Sequence, residues 1–65
     1  MFKHERMAEL IRDKGIEQKE LAGKVGVSET MMSFLVRGLK EPSLTVLSRI
    51  AHELGVSVAE LVEEN

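Results

Sequence analysis

Residues 18–37 of this 65-residue chain read QKELAGKVGVSETMMSFLVR, and this stretch decides the fold. Two short helices that cross steeply need a small residue where they touch, a residue tolerant of positive φ at the turn, and apolar anchors on both helices. Ala22 supplies the small residue and Gly26 the turn. The apolar anchors are Leu21, Val25, Val27, Met32 and Leu35. This agreement within one short stretch predicts two helices joined by a tight turn.

Length and composition limit what the chain can be. A domain of 65 residues buries only about 60% of the surface that its unfolded chain exposes, which argues against a buried catalytic cleft. The absence of cysteine removes disulfides, thiol chemistry and thiolate metal sites. No apolar run approaches the roughly 20 residues of a membrane span, and the N-terminus lacks the apolar segment of a signal peptide. We therefore expect a soluble, cytoplasmic protein with no membrane segment.

The charge is unevenly distributed along the chain. The formal net charge is −2, yet residues 1–40 carry eight Lys and Arg against six acids, whereas residues 41–65 carry one against five. Non-specific affinity for nucleic acid comes from Lys and Arg, so the first part of the chain is the better candidate for a nucleic-acid surface. Solvated charge of this size is also ordinary, so the asymmetry alone does not assign a function.

Apolar spacing, glycines and capping residues predict an all-α single domain over residues 1–65. The five predicted helices cover about 2–14, 18–25, 28–37, 43–54 and 57–63. Ser28 and Ser43 are good N-caps, and Ser57 with Glu60 has the spacing of a capping box. One face of the fourth helix is apolar, comprising Leu44, Leu47, Ile50, Ala51 and Leu54.

A family resemblance extends beyond residues 18–37. The pattern continues through Gly38, Pro42-Ser43-Leu44, Leu54-Gly55-Val56-Ser57 and Glu60-Leu61. From about Met7 to Val62 the chain resembles the Xre/Cro phage-repressor family of helix-turn-helix domains. The resemblance implies a compact five-helix bundle of the lambda-repressor-like kind. It also implies a homodimeric transcriptional regulator, expected to be a repressor, that binds pseudo-palindromic operators in double-stranded DNA.

The resemblance further implies roles for individual residues. The third helix would enter the major groove, and its base-facing residues would be Ser28, Glu29, Thr30 and Phe34. Residues expected to touch phosphates are Gln18, Lys19, Arg37, Lys40 and Ser43. Gln18 and Ser43 begin predicted helices, whose N-termini are suited to anions. In the last helix, the expected dimer interface is Val58, Leu61 and Val62, since one chain offers few neighbours to cover the two valines.

The chain departs from the family pattern at several positions. Ile11 and Val36 replace an Arg and a Glu that commonly pair, and because both partners change together we interpret this as apolar repacking. Glu29 stands where Gln or Arg is frequent. It can accept from the amine of cytosine or simply stabilise the start of its helix, and both readings stay open. Leu39 replaces Lys or another polar residue.

An alternative function follows from apolar residues on the face expected to be wet. Met31, Phe34 and Leu39 could contact thymine methyl groups, or could form a protein-interaction surface like that of an antitoxin or antirepressor. Basic side chains beside Phe34 would favour DNA.

Other chemistry finds little support in the sequence. His4 and His52 lack a metal-ligand spacing and are expected to be solvated. The serines lack the His and Asp context of a nucleophile. We therefore expect no enzyme activity, no cofactor and no metal.

Overall fold

The computed structural model describes residues 1–63 as a bundle of helices. Four α-helices follow one another, namely α1 (His4–Lys14), α2 (Gln18–Val25), α3 (Glu29–Val36) and α4 (Leu44–Leu54). A short 3-10 helix, Val58–Leu61, completes the order. Ser28 and Ser43 are the N-caps of α3 and α4, as predicted. The all-α bundle is confirmed, with four α-helices and a single 3-10 turn in place of five α-helices.

The turn between α2 and α3 has the predicted geometry. Ala22 is 1% exposed where the helices meet, and its carbonyl accepts the N–H groups of both Gly26 and Val27 at 3.0 Å. Gly26 has φ of +81°, a left-handed conformation that costs glycine little and other residues more. The sequence argument for a small crossing residue and a glycine turn is confirmed.

The first helix begins two residues later than predicted. Phe2 is extended and forms an isolated antiparallel bridge with Val62. Lys3 N donates to Leu61 O at 2.8 Å, and Glu63 N donates to Met1 O at 2.7 Å. Because Phe2 is only 6% exposed, burial of its ring fixes this extended segment against the core. The prediction of helix from residue 2 is therefore wrong at its start.

The fifth predicted helix, 57–63, is reduced to the four residues of the 3-10 helix. The Ser57 side chain makes no capping hydrogen bond, so the predicted capping box is absent. The Glu60 carboxylate instead binds Arg6, with Oε2 2.7 Å from Nη2, and Arg6 also pairs with Glu9. The hydrogen bonds to Glu60 and then Glu9 raise the pKa of Arg6 above its ordinary value. The Glu60 carboxylate, which the capping box would use, is engaged in an ion pair with a residue distant along the chain.

The core draws on every helix. Its fully enclosed side chains belong to all five elements: Met7, Leu21, Val25, Met32, Leu35, Ile50, Leu54 and Leu61. The predicted apolar face of α4 is confirmed except at its first residue, because Leu44 is 73% exposed. Ile11 is 8% exposed, and Val36 is half-buried against the same core, which is consistent with apolar repacking.

Candidate nucleic-acid interface

The N-terminal turn of α3 is open to solvent. Ser28, Glu29 and Thr30 are all exposed, and the Ser28 Oγ accepts a hydrogen bond from Met31 N at 3.0 Å. The hydroxyl therefore caps the helix while remaining at the surface. Glu29 lies in the first turn, where its charge favours the helix dipole, and it forms no ion pair within residues 1–63.

The C-terminal end of α3 brings an aromatic ring and two cations together. Phe34 is half-buried, with the Arg37 guanidinium 5.5 Å and the Lys40 ammonium 5.8 Å from the ring centroid. The Arg37 Nε also donates to the Ser33 carbonyl at 3.4 Å. The criterion of basic side chains beside Phe34 is met. Sequence reasoning missed this cluster, although the three-residue spacing of Phe34 and Arg37 on a helix could have indicated it.

Two further helix N-termini carry the remaining residues expected at phosphates. Gln18 is the first residue of α2 and Lys19 the second, and both are exposed. Ser43 caps α4 through its Oγ, which accepts from Val46 N at 3.2 Å. Both helix starts offer unpaired N–H groups and the positive end of a dipole.

A shallow pocket of about 210 Å³ joins the α3 and α4 ends of this surface. Its walls include Val27 and Met31 on one side and Ser43 and Val46 on the other. The N-cap of α4 therefore lies across the pocket from the first half of α3, so these two candidate contact regions are neighbours.

The three apolar residues of the alternative function do not form one exposed surface. Met31 is half-buried and packs against the core, so it does not stand free on the solvent face. Phe34 is partly covered by its two cations, and Leu39 alone is widely open, at 61% exposure. An apolar docking site would need contiguous area, which this arrangement does not supply.

His4 is not the solvated residue that its sequence context suggested. It is half-buried, and its Nδ1 lies 3.2 Å from the Val36 carbonyl at the end of α3. Its ring fills the space beside Gly38, where a Cβ atom would come within 2.5 Å of it. The start of α1 thus fixes the end of α3.

The predicted dimer residues are also placed differently from expectation. Leu61 is 0% exposed within a single chain, so it has no surface to offer a partner, and its assignment to an interface is wrong. Val58 and Val62 are half-buried and pack against the core, leaving part of each side chain accessible. The bridge to Phe2 and the contacts of the 3-10 helix supply the neighbours that the sequence argument lacked.

Other classes of site find no residues to support them in the described part of the chain. Over residues 1–63, no helix is long and apolar enough to cross a membrane. The same residues contain no group of three or more His, Cys, Asp or Glu placed to hold a metal ion.

Comparison with known proteins gives consistent matches. The uncharacterized HTH-type transcriptional regulator y4dJ of Sinorhizobium fredii is 42% identical over 55 residues, covering 85% of this chain and 71% of that protein. The HTH-type transcriptional regulator DdrOP3 of Deinococcus deserti is 37% identical over 59 residues. That match covers 91% of this chain but only 46% of the Deinococcus protein.

Solved structures agree with the sequence matches. The crystal structure of the master regulator for biofilm formation SinR in complex with DNA superposes with a TM-score of 0.82 and 33% identity. The match covers 91% of this chain and 98% of the SinR chain. The sequence model of the Helix-turn-helix family matches residues 7–61, which is most of the chain. This chain therefore belongs to the Xre/Cro-type helix-turn-helix family.

Proposed function

We propose that the protein is a sequence-specific regulator of transcription, acting as a repressor, that inserts α3 into the major groove of double-stranded DNA. The observation that carries the proposal is the open N-terminal turn of α3 with Arg37 and Lys40 at its other end. Base edges would be read by Ser28, Glu29, Thr30 and Phe34, while cations and helix N-termini fix the register on the backbone. The likeness to SinR in complex with DNA supports this orientation.

The phosphate contacts in this proposal come from three elements. Gln18 and Lys19 lie at the start of α2, Ser43 caps α4, and the cations follow α3. Contacts on both sides of a reading helix hold it at a fixed depth in the groove. The protein would work beside the DNA in the cytoplasm, without a cofactor or catalytic activity.

We further propose a homodimer on pseudo-palindromic operators. In this dimer, Val58 and Val62 contact the partner through the parts of their side chains that remain accessible. Leu61 lies beneath them in the core. A two-fold dimer presents two α3 helices to successive major grooves, so its half-sites should lie about 10 base pairs apart.

Selection from a pool of random duplexes tests this function. Repeated rounds of binding should enrich a sequence with two-fold symmetry and half-site centres about 10 base pairs apart. Enrichment of a single, unrepeated half-site would contradict the homodimer alone. If no sequence is enriched over the starting pool, sequence-specific binding is refuted.

The alternative is a protein-interaction module centred on Leu39, whose exposure is the one observation that favours it. Leu39→Lys separates the two functions. On the DNA proposal, an added cation beside Lys40 leaves duplex binding intact or strengthens it. Loss of a co-purifying protein partner, with feeble duplex binding before and after, would favour the alternative.

A further inference from the structure

The Phe34 ring contacts two cations in addition to the base-facing role proposed for it. We infer that Phe34 is a positioning residue that holds the Arg37 guanidinium and the Lys40 ammonium together as one phosphate-binding unit, an inference that rests on the proposed DNA-binding function. Both cations lie within cation–π range of the ring, at 5.5 Å and 5.8 Å from its centroid. The unit consists of Phe34, Arg37 and Lys40.

Arg37 is restrained at two points. The ring contacts its guanidinium, and its Nε donates to the Ser33 carbonyl at 3.4 Å. A guanidinium has five N–H donors in a fixed plane, so the four on its two terminal nitrogens remain available to an anion. A long side chain restrained in this way loses less conformational entropy when it binds a phosphate.

Lys40 reaches the same ring although it lies beyond the end of α3. Gly38, with φ of +75°, turns the chain back, and Leu39 N donates to the Phe34 carbonyl at 2.8 Å. This turn brings the following residues over the last turn of the helix. The ammonium is therefore placed by the backbone and held by the ring.

Neither cation is neutralised by an acid. Within residues 1–63, Arg37 and Lys40 form no ion pair. The nearest acid along the chain, Glu41, instead accepts a hydrogen bond from Phe2 N at 3.5 Å. Two like charges near one ring repel each other, and an anion bound between them offsets that repulsion. On the proposed function, that anion is a DNA phosphate.

Substitutions at Phe34 test the inference on a duplex of unrelated sequence, where base reading plays no part. Phe34→Leu keeps an apolar side chain and removes the ring, and Phe34→Tyr keeps the ring as the matched control. We expect Phe34→Leu to weaken binding about 3- to 10-fold and Phe34→Tyr less than about 2-fold. The salt dependence should stay the same in both, since no charge is lost. Unchanged or tighter binding by Phe34→Leu overturns the inference.

A double-mutant cycle separates positioning from a structural role. In an Arg37→Gln/Lys40→Gln background, adding Phe34→Leu should weaken binding no further, because the ring then has no cation to hold. A loss that persists undiminished in that background would show that Phe34 acts through the fold, and would overturn the inference.

Proton NMR of the free wild-type protein tests the inference without DNA and without any substitution that could disturb folding. Ring currents from Phe34 should move the Arg37 Hδ and Lys40 Hε resonances upfield of those of the other Arg and Lys residues. Absence of these shifts refutes the inference even if the protein binds DNA. Shifts without duplex binding at any salt concentration refute the proposed function, and the phosphate role with it.

Discussion

Replacement of Gly38 by alanine tests how the end of α3 is held. An L-residue at φ of +75° costs about 1–2 kcal/mol. The new Cβ would lie 2.5 Å from the His4 Cδ2 and Nε2 atoms, so the ring must move. Movement breaks the contact between His4 Nδ1 and the Val36 carbonyl at 3.2 Å, worth about 0.5–1.5 kcal/mol. We expect Gly38→Ala to lower the free energy of unfolding by about 2–3 kcal/mol.

Gly23→Ala is the matched control. Gly23 lies inside α2, and beyond the adjoining backbone of that helix no atom stands within 4 Å of the position that an alanine methyl group would take, so alanine should raise the free energy of unfolding by about 0.5–1 kcal/mol. Urea unfolding at 25 °C measures both changes. Adding His4→Ala to Gly38→Ala removes the collision and leaves only the φ strain, so the two losses should be less than additive. Wild-type stability for Gly38→Ala would refute this account of the turn.

Three further predictions concern stability. Leu61→Ala should lower the free energy of unfolding by about 2–5 kcal/mol, and the loss relative to wild type should be the same at every protein concentration, since the side chain is 0% exposed within one chain; a loss that grows with protein concentration would return Leu61 to the dimer interface. Val36→Glu should cost about 1–3 kcal/mol, and adding Ile11→Arg should restore part of it in urea titrations; equal midpoints for single and double variants would mean that the residues do not face each other. Ser28→Ala removes the cap on Met31 N and should cost about 1 kcal/mol in thermal melts, whereas an unchanged melting temperature would rule out the cap.

The elements predicted well are those fixed by local chemistry. The tight turn after α2 requires a left-handed residue, which glycine at position 26 adopts at little cost, and Ser28 and Ser43 cap their helices with their own hydroxyls. The amphipathic spacing of α4 likewise depends only on residues a turn or two apart. Such features can be predicted from a single sequence because their partners are close along the chain.

The residues that were predicted wrongly contact partners that are distant along the chain. Phe2 was predicted to lie in the first helix but pairs with Val62. Glu60 was predicted to complete a capping box but binds Arg6. His4 found the Val36 carbonyl, 32 residues away. A pattern of nearby residues contains no information about these contacts, so tertiary packing overrode the local preference.

The candidate site also has one part that the sequence predicts and one part that it does not. The open turn at Ser28, Glu29 and Thr30 follows from the register of α3, which the apolar core residues set. The cations over Phe34 depend on rotamers and on the turn at Gly38, so their meeting required the three-dimensional structure.

The salt dependence of duplex affinity tests the central claim, DNA binding through the cations around α3, most directly. For a dimer that neutralises about 4–6 phosphates, the slope of log K against log salt concentration should be roughly −4 to −5. Arg37→Gln should reduce its magnitude by about 0.9 per subunit. Lys14→Gln should leave it unchanged, because Lys14 lies beside Gly55, at the opposite end of α4 from Ser43. A wild-type slope near zero, or equal effects of the two substitutions, would contradict the account.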